Sequence, residues 1–78
     1  MGERIPEDER LWRKSLQPGD LVDAVKFDME YNLKIWAKAT IKNVNVELIE
    51  VSFINDTNKM NRYLWWYSPD LSRYDTQS

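Results

Sequence analysis

Apolar residues recur along this chain mostly at period two, the spacing of half-buried strands. In "LVDAV" (21–25), Val22 and Ala24 share one face. In "IWAKATIKNV" (35–44), Ala37, Ala39 and Ile41 share one face, and Trp36, Lys38, Thr40 and Lys42 the other. In "VELIEVSF" (46–53), Ile49, Val51 and Phe53 are in register, with Glu50 and Ser52 opposite. In "YLWWY" (63–67), Tyr63, Trp65 and Tyr67 point one way, and Leu64 and Trp66 the other. Four strands are predicted. Between them, "QPGD" is a turn, "FDMEYNLK" (27–34) a long polar hairpin loop, "KNVN" a turn and "NDTNKMN" (55–61) a loop. "SPDL" predicts a closing 3₁₀ turn, with Leu71 falling back on the core.

Helical spacing occurs once, over residues 6–16. Pro6 suits a first turn, Glu7, Asp8 and Glu9 favour the positive end of the dipole, and Arg10, Arg13 and Lys14 the negative end. Leu11, Trp12, Ser15 and Leu16 fall on one side, and Trp12 is the expected anchor. Strands with polar turns and no helices between them predict a closed antiparallel barrel or a small sandwich. The expected organisation is a disordered 1–5, a helix over 6–16, one β domain over 17–74 and a disordered tail over 75–78.

Composition narrows the chemistry. A 78-residue chain is one domain and buries only about 60% of the surface its unfolded form exposes. It has no cysteine and no histidine, which removes disulfides, thiolate metal sites and histidine-based triads. The serines have no base to activate them, and no calcium-loop spacing is present. A non-enzyme without cofactor or metal is expected. The net charge of −2 argues against nucleic acid, although Lys34, Lys38, Lys42, Lys59 and Arg62 with Trp36 form the best basic stripe. No apolar run spans a bilayer, and an intracellular protein, nuclear or cytoplasmic and monomeric, is expected.

The succession "LQPGDLVDAV", "WAKATI", "IEVSF" and "WYSPDL", over about residues 16–71, resembles the Tudor and chromo-barrel branch of the Royal superfamily. "LWRKSL" resembles lead-ins to such barrels in ubiquitin-pathway proteins. The resemblance implies a mainly β fold: a small SH3-like antiparallel barrel with a short N-terminal helix. It implies that Gly19 turns the chain into the barrel, that Ala39 permits close strand packing, and that Trp66 lies inside with Leu64. Tyr63, Trp65 and Tyr67 would then face outward or be covered by the helix through Leu11, Trp12 and Leu16.

Members of this group hold methylated lysine or arginine in an aromatic cage, where ring faces attract the cation. Carried over by position, the cage finds rings at Phe53 and Tyr63, none at Ala37 and Asp56, and an offset candidate in Phe27. Trp36 would replace Ala37 if the strand bulged there, and Asp56 would contribute charge. The plainer role for Phe53 is core. The expected function is therefore a protein-interaction module that binds a peptide or protein segment, a methylated histone tail being one candidate. Its ligand-binding residues would be Phe53, Tyr63, Trp65, Trp36, Asp56 and Phe27. The alternative is an architectural domain packed on a neighbour in a larger ubiquitin-pathway or chromatin protein. Asp20, Asp23, Asp28 and Glu30 would form either an acidic rim for a basic peptide or an ordinary solvated loop, the latter favoured.

Overall fold

The computed structural model of the chain describes residues 6–55 and 61–77. Helix α1 (Glu7–Lys14) follows Pro6, with its acidic residues in the first turn and Arg13 and Lys14 in the last. Strands β1 (Leu21–Asp28), β2 (Leu33–Val44), β3 (Leu48–Phe53), β4 (Asn61–Trp65) and β5 (Leu71–Arg73) form one sheet in the order β4-β3-β2-β1-β5. Every neighbouring pair is antiparallel. Among the described residues, no helix is long and apolar enough to cross a membrane.

The period-two pattern has the expected outcome at the core. Val22, Ala24, Ala39, Ile41, Ile49, Val51, Leu64 and Leu71 are buried on one face, joined by Leu16. Trp12, Phe53 and Trp66 are half-buried and pack against them. Gly19 enters β1 at φ 98° and donates its N–H to the Ile41 carbonyl at 2.8 Å. A Cβ would strain that left-handed turn.

The ladder is open, because β4 and β5 are its two edges. Arg62, on the core side of β4, nevertheless donates to the Val25 carbonyl of β1 and pairs with Asp70 at 2.7 Å. Across a flat sheet β4 and β1 would stand roughly 14 Å apart, three spacings of about 4.8 Å. An arginine side chain does not extend that far, so the sheet must curl around its core.

Several boundaries differ from expectation; the helix is shorter, at Glu7–Lys14, and β3 starts later, at Leu48. β1 runs three residues further towards the hairpin and β2 starts two residues earlier, pairing Asp28 with Leu33. The Asp28 carboxylate makes this possible by accepting the Glu30 and Tyr31 N–H groups at 3.0 and 3.4 Å, closing a turn that includes Asn32 at φ 56°. β4 stops at Trp65, where the Ser68 N–H donates to the Trp65 carbonyl at 2.8 Å and folds the chain back. In place of the expected C-terminal 3₁₀ turn, residues 66–70 form turns, and Leu71 opens a short fifth strand opposite Ala24.

Two buried charges tie the ends of the chain to the sheet. Arg13, only 6% exposed, donates to the carbonyls of Trp66, Ser68 and Leu71 at 3.2, 2.8 and 2.6 Å and pairs with Glu9 at 2.9 Å. An isolated helix of this length is unstable; this guanidinium staples it to the turn after β4. Lys14 adds its ammonium 3.8 Å above the Trp66 ring. Asp23 is fully buried and accepts the N–H groups of Asp75, Thr76 and Gln77 at 2.8 to 2.9 Å. The tail expected to be disordered over 75–78 is therefore hydrogen-bonded over 75–77. A buried carboxylate needs such donors.

Arg13→Met leaves three carbonyls without their shared donor. The expected cost is about 3 kcal/mol in urea unfolding, a large share of the roughly 4–12 kcal/mol available to a chain this size. Asp23→Asn should cost about 1–3 kcal/mol, and amide exchange at Asp75, Thr76 and Gln77 should rise well before exchange in β2. Unchanged protection at those three amides would mean that Asp23 is not what holds them.

Candidate functional site

Two exposed rings, Tyr63 and Trp65, stand on the outer face of β4 beside β3. Tyr63 stands opposite Glu50, and Trp65 opposite Leu48. Tyr63 is 64% exposed, Trp65 53% and Leu48 43%. Their neighbours Ile49 and Leu64 point the other way into the core, so strand alternation itself holds the rings out. Trp66, expected inside, is half-buried against the core, with the Lys14 ammonium 3.8 Å from its ring centre. Trp65 contacts Trp66 and Tyr67 at ring separations of 6.0 and 6.1 Å, and Tyr67 lies under Arg13 at 4.8 Å. Helix α1 engages the turn beyond the strand through Arg13 and leaves Tyr63 and Trp65 uncovered.

Glu50 sits in the middle of this face. Asn43 from β2 donates to its Oε1 at 2.8 Å, and Asn61 from β4 to its Oε2 at 2.7 Å. Asn43 reaches it because β2 bulges between Ile41 and Asn43. The carboxyl is held below the ordinary glutamate value, first by Asn43 and then by Asn61, against a smaller upward push from desolvation, with Tyr63 and Lys42 adding to the downward side. Among the described residues no ion pair ends on Glu50. The face thus presents a fixed anion flanked by an exposed phenol ring, an indole and a leucine, which suits a cation carried on an apolar stem.

The other expected site residues lie elsewhere. Phe53 opposes Ala39 on the core side of the sheet, away from Tyr63 and Trp65. Trp36 opposes Val25, and Ala37 opposes Ala24, in unbroken register. The bulge falls at Ile41–Asn43 instead, so Trp36 keeps its own face and does not replace Ala37. Phe27 is 54% exposed on the β1–β2 hairpin. Asp56 lies outside the described residues. Among those described, ring contacts gather Trp65, Trp66 and Tyr67, and none joins Phe27, Trp36, Phe53 or Tyr63. The structure therefore puts Tyr63 and Trp65 on one face of β4, two residues apart, and leaves Phe53, Trp36 and Phe27 outside that face.

The early carboxylates serve the fold. Asp20 accepts the Gln17 N–H at 2.9 Å, Asp28 closes the hairpin and Asp23 binds the tail. The basic stripe is divided. Lys38 pairs with Asp75 at 3.2 Å and lies 5.7 Å from the Tyr74 ring centre, its ammonium pKa raised chiefly by the Asp75 hydrogen bond. Arg62 is committed to Val25 and Asp70, and Lys59 lies outside the described residues. Glu50 was not among the expected site residues. No local spacing marked it: Asn43 and Asn61 meet it only through the pairing of three strands and the bulge in β2.

With this geometry in view, comparison with known proteins adds no relative: no family model, no curated protein and no solved structure matches the chain.

A carboxylate whose pKa is depressed by folding stabilises the fold above its unfolded value, and that contribution is lost as pH falls through the folded value. For Glu50 the loss belongs to the acid range, below its ordinary 4.5. NMR titration of the side-chain carboxyl should give a midpoint under 4.5, and Asn61→Ala should move it upward. A midpoint at or above 4.5 in the unaltered chain would contradict the two-amide grip.

Proposed function

We propose that this chain is a non-catalytic protein-interaction domain, an SH3-like barrel of Tudor type, which holds a partner's peptide segment against the outer face of β3 and β4. The strand order and the curl enforced by Arg62 support that architecture. The observation that carries the function is the exposure of Tyr63 and Trp65 side by side beside the fixed carboxylate of Glu50. Large aromatic side chains cost free energy to leave in water, and at interfaces they are the residues whose truncation weakens binding most. A lysine or arginine, methylated or not, is the kind of group that a ring and a carboxylate hold together. Asp56 and Phe53 are not needed for this.

A second reading rests on a different surface. At the β1–β2 hairpin, Phe27, Met29, Tyr31 and Leu33 are 54, 76, 66 and 51% exposed. Such a projecting apolar tip suits permanent packing on a neighbouring domain. In that case the tip should resist protease within a longer protein and be cut readily in the isolated domain, and peptides should bind poorly.

Titration with basic peptides, unmodified and methylated at lysine or arginine, followed by amide and indole shifts, separates the two. The expected result is movement centred on Tyr63, Trp65 and Glu50. Tyr63→Ala and Trp65→Ala should each weaken the best binder about tenfold with the core spectrum unchanged. Absence of shifts with every peptide would remove the peptide-binding function.

A further inference from the structure

The same face has an open edge. Among the described strands β4 pairs only with β3. The Trp66 N–H donates to the Glu47 carbonyl at 2.8 Å, while the Leu48 carbonyl and the Ile54 N–H bond on the β2 side of β3. Antiparallel alternation then turns the backbone groups of Ile49 and Val51 towards β4, and those of their partners Leu64 and Arg62 towards β3. The N–H and C=O of Tyr63 consequently point away from the sheet. The Trp65 carbonyl points the same way and is taken by the Ser68 N–H at 2.8 Å. Among the described residues no backbone group outside the sheet hydrogen-bonds Tyr63. An edge of this kind is a template for another strand.

Side-chain geometry above that edge favours one kind of strand. An added strand would lie about 4.8 Å from β4 and about 10 Å from β3. Next to it lies the ring of Tyr63, and one strand further in lies Glu50, its two oxygens held by neutral amides, with Lys42 acting on it at longer range and no ion pair ending on it among the described residues. A side chain that starts at the new strand, crosses a phenol ring and ends on a carboxylate must be long and cationic. Arginine fits best, since its planar guanidinium stacks on aromatic faces and its fork of donors matches a carboxylate.

We infer that β4 takes an extended segment of a partner protein as an added strand, with an arginine of that segment lying across Tyr63 to reach Glu50. This rests on the function proposed above and specifies how the ligand is held. Main-chain hydrogen bonds to Tyr63 supply the attachment, and the arginine sets register and choice of partner.

The probe is a blocked peptide of alternating threonine and valine with one central arginine, compared with its glutamine counterpart and with a form N-methylated on the nitrogens that face β4. The arginine peptide should shift Tyr63 and Trp65 and protect the Tyr63 amide from exchange. The glutamine peptide, or Glu50→Gln, should weaken binding about three- to fivefold, and the two changes together should cost no more than either alone. The N-methylated peptide should not bind. If it binds equally well, strand addition is wrong while the outer-face function stands. If the glutamine peptide binds equally well, the arginine assignment is wrong. If sedimentation shows a concentration-dependent dimer with the Tyr63 amide already protected, the edge belongs to a second copy and the inference falls. If no peptide of any kind moves the face, the proposed function falls with it.

Discussion

The contact on which the rest of this molecule depends is the reach of Arg62 from one edge strand to the Val25 carbonyl and Asp70 near the other. Among the described residues no ladder joins β4 to β1 or β5, so the curl of the sheet is held by a guanidinium and by the core it encloses. Curling converts a two-faced sheet into an inside and an outside. Ile49, Val51 and Leu64 become core, and Glu50, Tyr63 and Trp65 become surface, through the pleat alone.

A domain this small has little apolar area to spare, and it uses charge where a larger one would use a second layer. Arg13 gathers three carbonyls of the chain after β4, and Asp23 gathers three amides of the tail. Both are nearly or wholly removed from water. They are tolerable there because each meets complementary backbone groups. Both also occupy places where a sequence pattern suggests only a dipole-complementing charge and an outward-facing strand residue.

The aromatic residues show how far position in a motif differs from position in space. Phe53 and Tyr63 fill two places of a family pattern, yet they stand on opposite sides of one sheet. Trp36 would join them only if β2 slipped by one residue near Ala37, and the slip occurs several residues later. That later bulge carries Asn43 to Glu50 and so builds the polar centre of the exposed face. Strand parity was legible for Tyr63 and Trp65, since their alternation with Leu64 is local. The partners of Glu50 were not, because they come from two different strands.

Alternation, turn residues and the single helical stretch determined the elements, their faces and most of the core, since these depend on neighbours within a few positions. Val22, Ala24, Ile41, Ile49 and Val51 were assigned to one face on that basis and are buried. Tertiary structure alone decided the fifth strand, the pinned tail, the site of the bulge and the burial of Arg13. Each of these requires groups 50 or more residues apart, or a register between strands, to meet. Such meetings follow from closing the core, and no local spacing encodes them.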